Sequence, residues 1–139
     1  MAESPRREAW RRMRAVAHSP AHLARLHKLY GEAGLTPGVG KALVQLPSDR
    51  PVPMRELASA LHCDNSYITS VVDVLEEKGL VERRAHPSDR RIKVISLTEE
   101  GALLAKRAKA ELAEPPPVFD SLTDAEAAQL RDLMRKFGD

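Results

Sequence analysis

Residues 64–98, DNSYITSVVDVLEEKGLVERRAHPSDRRIKVISLT, decide the fold. Ile68, Val71, Val72 and Leu75 recur at the spacing of one buried helical face. Asp64 offers a side-chain oxygen to the unpaired N–H groups of a first turn, and Gly79 suits the left-handed backbone that stops a helix. The spacing predicts a helix from Asn65 to Lys78. Two strand-like runs then flank the polar turn His86-Pro87-Ser88-Asp89. They carry Arg83, Arg84, His86, Arg90, Arg91 and Lys93 against Glu82 and Asp89, a local excess of positive charge. A helix with a polar outer face that can enter a major groove, set beside a basic ribbon, points to nucleic acid.

Working upstream, Met54 to Leu61 reads as a short helix burying Leu57, Ala58 and Leu61. Residues His62 to Asn65 join it to the next helix, the junction of a helix-turn-helix whose second helix reads DNA. Residues 47–53 form a turn with at most a very short strand. Thr36-Pro37 opens a helix in which Val39, Leu43 and Leu46 face inward, while Gly38 and Gly40 weaken its first turns by about 1 kcal/mol each relative to Ala. At the start, Ser4-Pro5 begins a helix with the stripe Trp10, Met13, Val16 and Ala17. Pro20 breaks it, and a second piece carries Leu23, Leu26 and Tyr30.

Downstream, Thr98 caps a helix with Glu99 and Glu100 in its first turn, where the helix dipole favours acids. Its stripe is Leu103 or Leu104, Ala108 and Leu112, and Pro115 to Pro117 end it. Thr123 and Glu126 form a capping box ahead of a last helix bearing Ala127, Leu130, Met134 and Phe137 on one face. The expected fold is mainly α with a small β-hairpin. A winged helix-turn-helix lobe occupies about residues 36–97, and helices at about 4–33 and 98–138 flank it in a single domain. Those flanking helices carry more apolar surface than a small winged core can cover. A second copy would cover it, with Trp10, Met13, Leu112, Leu130, Met134 and Phe137 at the interface. A homodimer also sets two reading helices one duplex turn apart, which suits a pseudo-palindromic site.

The 139-residue chain has a net charge of only +2, but its charge is unevenly placed. Arg6, Arg7, Arg11, Arg12 and Arg14 crowd the start, and Glu114, Asp120, Asp124, Glu126 and Asp132 the end. That pattern fits one face for polyanions and another for protein contacts. Aromatic residues, at 4%, are too few for the stacking platforms that bind single strands. The lone Cys63 suits a reducing cytoplasm and reads as a core thiol beside the helix-turn-helix junction. No apolar run approaches a membrane span. His18 and His22 are four apart, but Pro20 between them spoils the register for a metal pair, so neither metal nor cofactor is expected. No nucleophile elbow, P-loop or GxGxxG occurs, and an enzyme is not expected.

On the reading helix, Asn65, Ser66, Tyr67, Thr69 and Ser70 lie off the buried stripe. Asn can take adenine, Ser and Thr can reach bases or phosphates, and Tyr or Thr can touch a thymine methyl. Asp73 would repel phosphate and is expected at the groove's edge or against an arginine. Arg90 and Arg91 on the turn, with Lys93, His86 and Arg84 along the ribbon, suit phosphate and minor-groove contact. Arg83 and Arg84, at the hairpin base, can also pair with Glu82 or Glu76.

The run from about Leu35 to Leu104 resembles the MarR family of bacterial transcription regulators. The matching pieces are Glu56-Leu57-Ala58, Val72-Asp73, Leu75-Glu76-Glu77-Lys78-Gly79-Leu80-Val81-Glu82-Arg83, the wing Asp89-Arg90-Arg91, and the exit Leu97-Thr98-Glu99-Glu100-Gly101. The resemblance implies a homodimer with interlocked terminal helices, each winged lobe set on double-stranded DNA. It implies repression, and release when a small aromatic effector binds between the dimerisation and DNA-binding parts. It also implies that Arg91 enters the minor groove, steadied by an ion pair with Asp89. Ser70 and Val74 stand where many relatives carry Arg, so the wing arginines should supply most of the affinity and the helix most of the discrimination. The rival reading is a winged-helix protein–protein module that binds no DNA. Salt-dependent duplex binding separates the two.

Overall fold

A computed structural model describes residues 1–138. The chain forms α1 (Pro5–Ala17), α2 (Pro20–Glu32), α3 (Pro37–Gln45), β1 (Val52–Pro53), α4 (Met54–Ala60), α5 (Asn65–Glu77), β2 (Val81–Ala85), β3 (Lys93–Leu97), α6 (Glu99–Ala113) and α7 (Asp124–Met134). Short 3-10 turns follow at Pro117–Ser121 and Arg135–Phe137. It divides into two compact units. One runs from Leu26 to Glu111 and holds the helix-turn-helix and the sheet; the other combines residues 1–25 with 112–139.

Most helix ends fall where capping chemistry puts them. Ser4, Thr36, Asp64 and Thr123 each accept a first-turn backbone N–H, and Thr123 with Glu126 forms the full capping box. Gly79 takes φ +71°, which ends α5 by turning the chain toward β2 without a Cβ clash. Thr98 does two jobs at once: its hydroxyl donates to the Gly79 carbonyl at 2.6 Å and accepts the Gly101 N–H at 3.1 Å. The end of α5 is thereby stitched to the start of α6.

The hairpin is part of a three-stranded antiparallel sheet, because Val52–Pro53 adds to β3 in the order β1-β3-β2. Ile68, Val72 and Leu75 from α5 are buried with Leu43 and Leu46 around α3 and with Val81 and Ile95 of the sheet. Leu57 and Ala58 are buried as expected, but Leu61 is only half-buried because it closes α4 at the junction. Cys63 is likewise half-buried rather than a core thiol, since the chain has already turned out toward Asp64. Gly40 is more than a weak helix residue. A Cβ there would lie 2.6 Å from the Tyr30 ring, so its bareness lets the buried Tyr30 lie against α3.

The second unit looks different. Every buried apolar side chain among the described residues falls between Leu26 and Ala108. Trp10, Leu112, Leu130, Met134 and Phe137 are all exposed, and Met13 is half-buried. Phe137 sits on the 3-10 turn beyond α7 rather than on that helix. Met13, Val16, Phe119, Leu122, Leu130 and Met134 line an apolar groove of about 600 Å³.

Candidate nucleic-acid interface

The junction between α4 and α5 is tight. His62 adopts φ +53°, and the Cys63 N–H bonds the Ala58 carbonyl at 3.1 Å, closing α4 with a left-handed residue that is not glycine. The chain then turns at once into the Asp64 cap. Asp64 Oδ1 accepts the Tyr67 N–H and the Ser66 hydroxyl, both at 2.8 Å. These bonds, the backbone one first, hold the Asp64 carboxyl below its ordinary range.

Asn65, Ser66, Tyr67, Thr69 and Ser70 are all exposed on one side of α5, as the periodicity requires. Three of the hydroxyls, however, already have their protons engaged. Ser66 donates to Asp64, Thr69 to the Asn65 carbonyl at 2.9 Å, and Ser70 to the Ser66 carbonyl at 3.2 Å. What they offer outward is acceptor lone pairs and, at Thr69, a methyl group. Such a face suits the amino groups of adenine or cytosine and the thymine methyl better than phosphate, which can only accept. Tyr67 leans toward α3, with its hydroxyl 2.9 Å from where a Gly38 Cβ would stand. Gly38 is therefore the open ground on which Tyr67 rests.

The wing tip is longer than a four-residue turn. Ala85 pairs with Lys93, so the tip spans residues 86–92. Its shape is fixed by short bonds. The His86 N–H donates to the Ile92 carbonyl at 2.8 Å, the Ser88 N–H to His86 Nδ1 at 3.0 Å, and the Ile92 N–H to the Asp89 carbonyl at 3.0 Å. Asp89 Oδ1 accepts the Arg91 N–H at 3.0 Å and its Nε–H at 3.2 Å. The backbone bond first and the side-chain bond second hold the Asp89 carboxyl below the usual range. Arg91 is thus anchored at its root while its side chain stays 92% exposed. Arg90 and Lys93 are exposed, and His86 is half-buried.

Arg84 is less free than the ribbon charge suggested, because its guanidinium meets Glu82 at 2.7 Å. Glu82 is therefore engaged by Arg84. Arg83 turns inward instead, to Asp73 and to Glu76, and its Nη2 lies 3.0 Å from Glu76 Oε1. Of the partners open at the hairpin base, Arg84 takes Glu82 and Arg83 takes Glu76, and Arg83 is also the arginine that meets Asp73. The usable signal was Asp73 and Glu76 three residues apart on one face of the preceding helix. The His18 ring bonds the Arg14 carbonyl at 2.9 Å at the end of α1.

Comparison with known proteins adds the lineage. The model of the MarR family matches residues 35–93. A putative transcriptional regulatory protein for the hcr operon of Thauera aromatica is 34% identical over 104 residues, which is 74% of this chain and 63% of that protein. The chain spans about three-fifths of the length of such curated relatives. Crystal structures of MarR from E. coli are similar as well. The reduced form is 25% identical with TM-score 0.78 over 100% of both chains. A cysteine-to-serine mutant complexed with operator DNA is 25% identical with TM-score 0.65, over 93% of this chain and 92% of that one. CouR from Rhodococcus jostii RHA1, bound to p-coumaroyl-CoA, is 34% identical with TM-score 0.59 over 84% of this chain and 82% of that one. The chain belongs to the MarR family, and the match falls on the helix-turn-helix and wing that carry its exposed polar and basic groups.

Proposed function

We propose that this protein is a sequence-specific, double-stranded-DNA-binding transcription repressor. It acts in the cytoplasm as a homodimer on a pseudo-palindromic operator, as a regulator rather than an enzyme. The observation that carries the reading is the pairing of two surfaces on one compact unit. The acceptor-rich face of α5 stands beside a wing tip whose Arg91 is anchored by Asp89 yet outwardly exposed. Phosphate and minor-groove contacts from Arg90, Arg91 and Lys93 give salt-dependent affinity, and Asn65, Ser66, Tyr67, Thr69 and Ser70 discriminate among bases. Arg84 contributes less, since Glu82 already neutralises it. The E. coli MarR complex with operator DNA supports this assignment by analogy of fold.

The homodimer reading rests on the unit of residues 1–25 and 112–139. Among its described residues it buries no apolar side chain fully, and it leaves Trp10, Leu112, Leu130, Met134 and Phe137 uncovered. In this reading a small aromatic effector releases the protein from DNA; the p-coumaroyl-CoA bound by CouR supports an aromatic ligand, and the release itself is the further step proposed. Aromatic carboxylic acids that raise the melting temperature and reduce operator binding together would support that arm.

The decisive measurement is a mobility-shift titration on the DNA upstream of the protein's own gene across a range of salt. A sequence-selective shift that weakens steeply with salt is expected. Arg91→Ala should cost about 1–3 kcal/mol of binding and flatten the salt slope by about 0.9 for each phosphate no longer neutralised. Absence of any selective shift at dimer-forming concentrations would leave the protein–protein module as the better reading.

A further inference from the structure

We propose that Arg83 is a positioning residue that locks the wing to the reading helix, with Asp73 and Glu76 of α5 as its anchors. The proposal rests on the reading of duplex-DNA binding given above. Arg83 stands in the middle of β2, and its side chain is only 27% exposed, against 72% for Arg84 and 92% for Arg91. Its guanidinium reaches back across the hairpin base to both carboxylates. The Glu76 carboxylate grips it twice, because Oε2 also accepts the Arg83 backbone N–H at 3.2 Å. β2 is an edge strand of the sheet, so that N–H is one of the groups an edge leaves unpaired. Glu76 therefore closes the strand edge and the ion pair with one side chain. Bonding to Arg83 in turn holds the Glu76 carboxyl below its ordinary range.

The charge balance argues against direct DNA contact by this group. One guanidinium against two carboxylates leaves the cluster net negative, which repels phosphate. A contact role would place the arginine outward, as Arg91 is. What the cluster does instead is fix the angle between α5 and the hairpin, the two parts that must meet one duplex together. Loosening it leaves both surfaces intact but only a fraction of molecules with both correctly set. Apparent affinity falls by that fraction.

The two roles predict opposite signs for Glu76→Gln. Removing a negative charge near DNA should tighten binding if only electrostatics matter. If Glu76 positions the wing, binding should weaken, by about tenfold were the competent fraction to fall to a tenth. The full-length protein first selects a duplex from a random-sequence pool, and that duplex is then titrated with the parent, Glu76→Gln, Asp73→Asn and Arg83→Met across salt. Weaker binding with the parent's salt slope is expected for all three variants, because each keeps every side chain that neutralises a phosphate. Faster amide exchange along β2, with the amides of Ile68 and Leu75 still protected, should accompany it and show that the core remains folded. Equal or tighter binding by Glu76→Gln, or a flattened salt slope for Arg83→Met, overturns the positioning role. A parent that selects no duplex overturns the DNA-binding reading instead, and the positioning role with it.

Discussion

At the scale of single residues, one substitution made in two places separates backbone preference from packing. Alanine in a helix is ordinarily better than glycine by about 0.5–1 kcal/mol. At Gly31 near the end of α2, a Cβ would meet nothing within 4 Å, so Gly31→Ala should stabilise by about that amount. At Gly101 in the first turn of α6, the same Cβ would lie 1.9 Å from the Leu80 carbonyl oxygen. That oxygen is backbone and also accepts the Thr98 N–H at 3.0 Å, so it cannot swing aside. Overpacking of about 1–3 kcal/mol or more then exceeds the propensity gain, and Gly101→Ala should destabilise. Urea midpoints of the two variants, read with unchanged slopes, check both signs. Both glycines are plain in the sequence, but nothing local says that the Leu80 carbonyl, twenty-one residues upstream, lies against one of them.

At the scale of elements, the wing and the start of α5 are held by carboxylates that are easier to ionise in the folded protein than in the unfolded chain. Asp64, Glu76 and Asp89 are all shifted down, by the Tyr67 N–H, the Arg83 guanidinium and the Arg91 N–H respectively. A depressed folded value means that the stabilisation is complete above the ordinary carboxylate range. It is lost as pH falls through the folded values, when the unfolded state binds more protons. The expected outcome is a wing that loosens in acid, below about pH 4, while nothing changes between pH 6 and 8 from these groups. Amide exchange at Arg83, Arg91 and Tyr67, followed on lowering the pH, would show whether these N–H groups open before the Ile68 and Leu75 amides. Simultaneous opening of all of them would contradict the assignment. The acidic partners of the wing were legible by type, since Asp89 precedes Arg91 by two residues and the bond is local. For Arg83 the sequence offers Glu76 or Glu82 as partners and places Asp73 at the groove's edge or against an arginine; that one guanidinium takes both Glu76 and Asp73 depends on how β2 folds back on α5.

At the scale of the molecule, the unit of residues 1–25 and 112–139 exposes apolar side chains that a stable monomer would cover. If a second copy covers them, Leu130→Asp should shift the protein toward monomer. Leu130 keeps 36% of its surface in the protomer, so the lost apolar burial is a minor part. A carboxylate forced into that contact without a partner costs about 1–3 kcal/mol or more, and the dimer dissociation constant should rise by about tenfold or more. Sedimentation over a dilution series measures it, and an unchanged assembly state would remove Leu130 from the interface. Operator affinity should fall in parallel, since a monomer places only one reading helix.

Sequence alone determined what depends on neighbours in the chain. The helices follow from 3.6-residue periodicity and from Ser4, Thr36, Asp64, Thr98 and Thr123 as caps, because a cap bonds within three residues of itself. The exposed face of α5 and the anchored Arg91 follow for the same reason. Tertiary structure decided what depends on distant segments meeting. It turned Gly40 from a weak helix position into the seat of Tyr30, added Val52–Pro53 to the hairpin, left Cys63 half-buried, and took Arg83 out of the basic ribbon by setting it against α5. The composition of a ribbon counts its charges. Only packing determines which of them a neighbour has already neutralised.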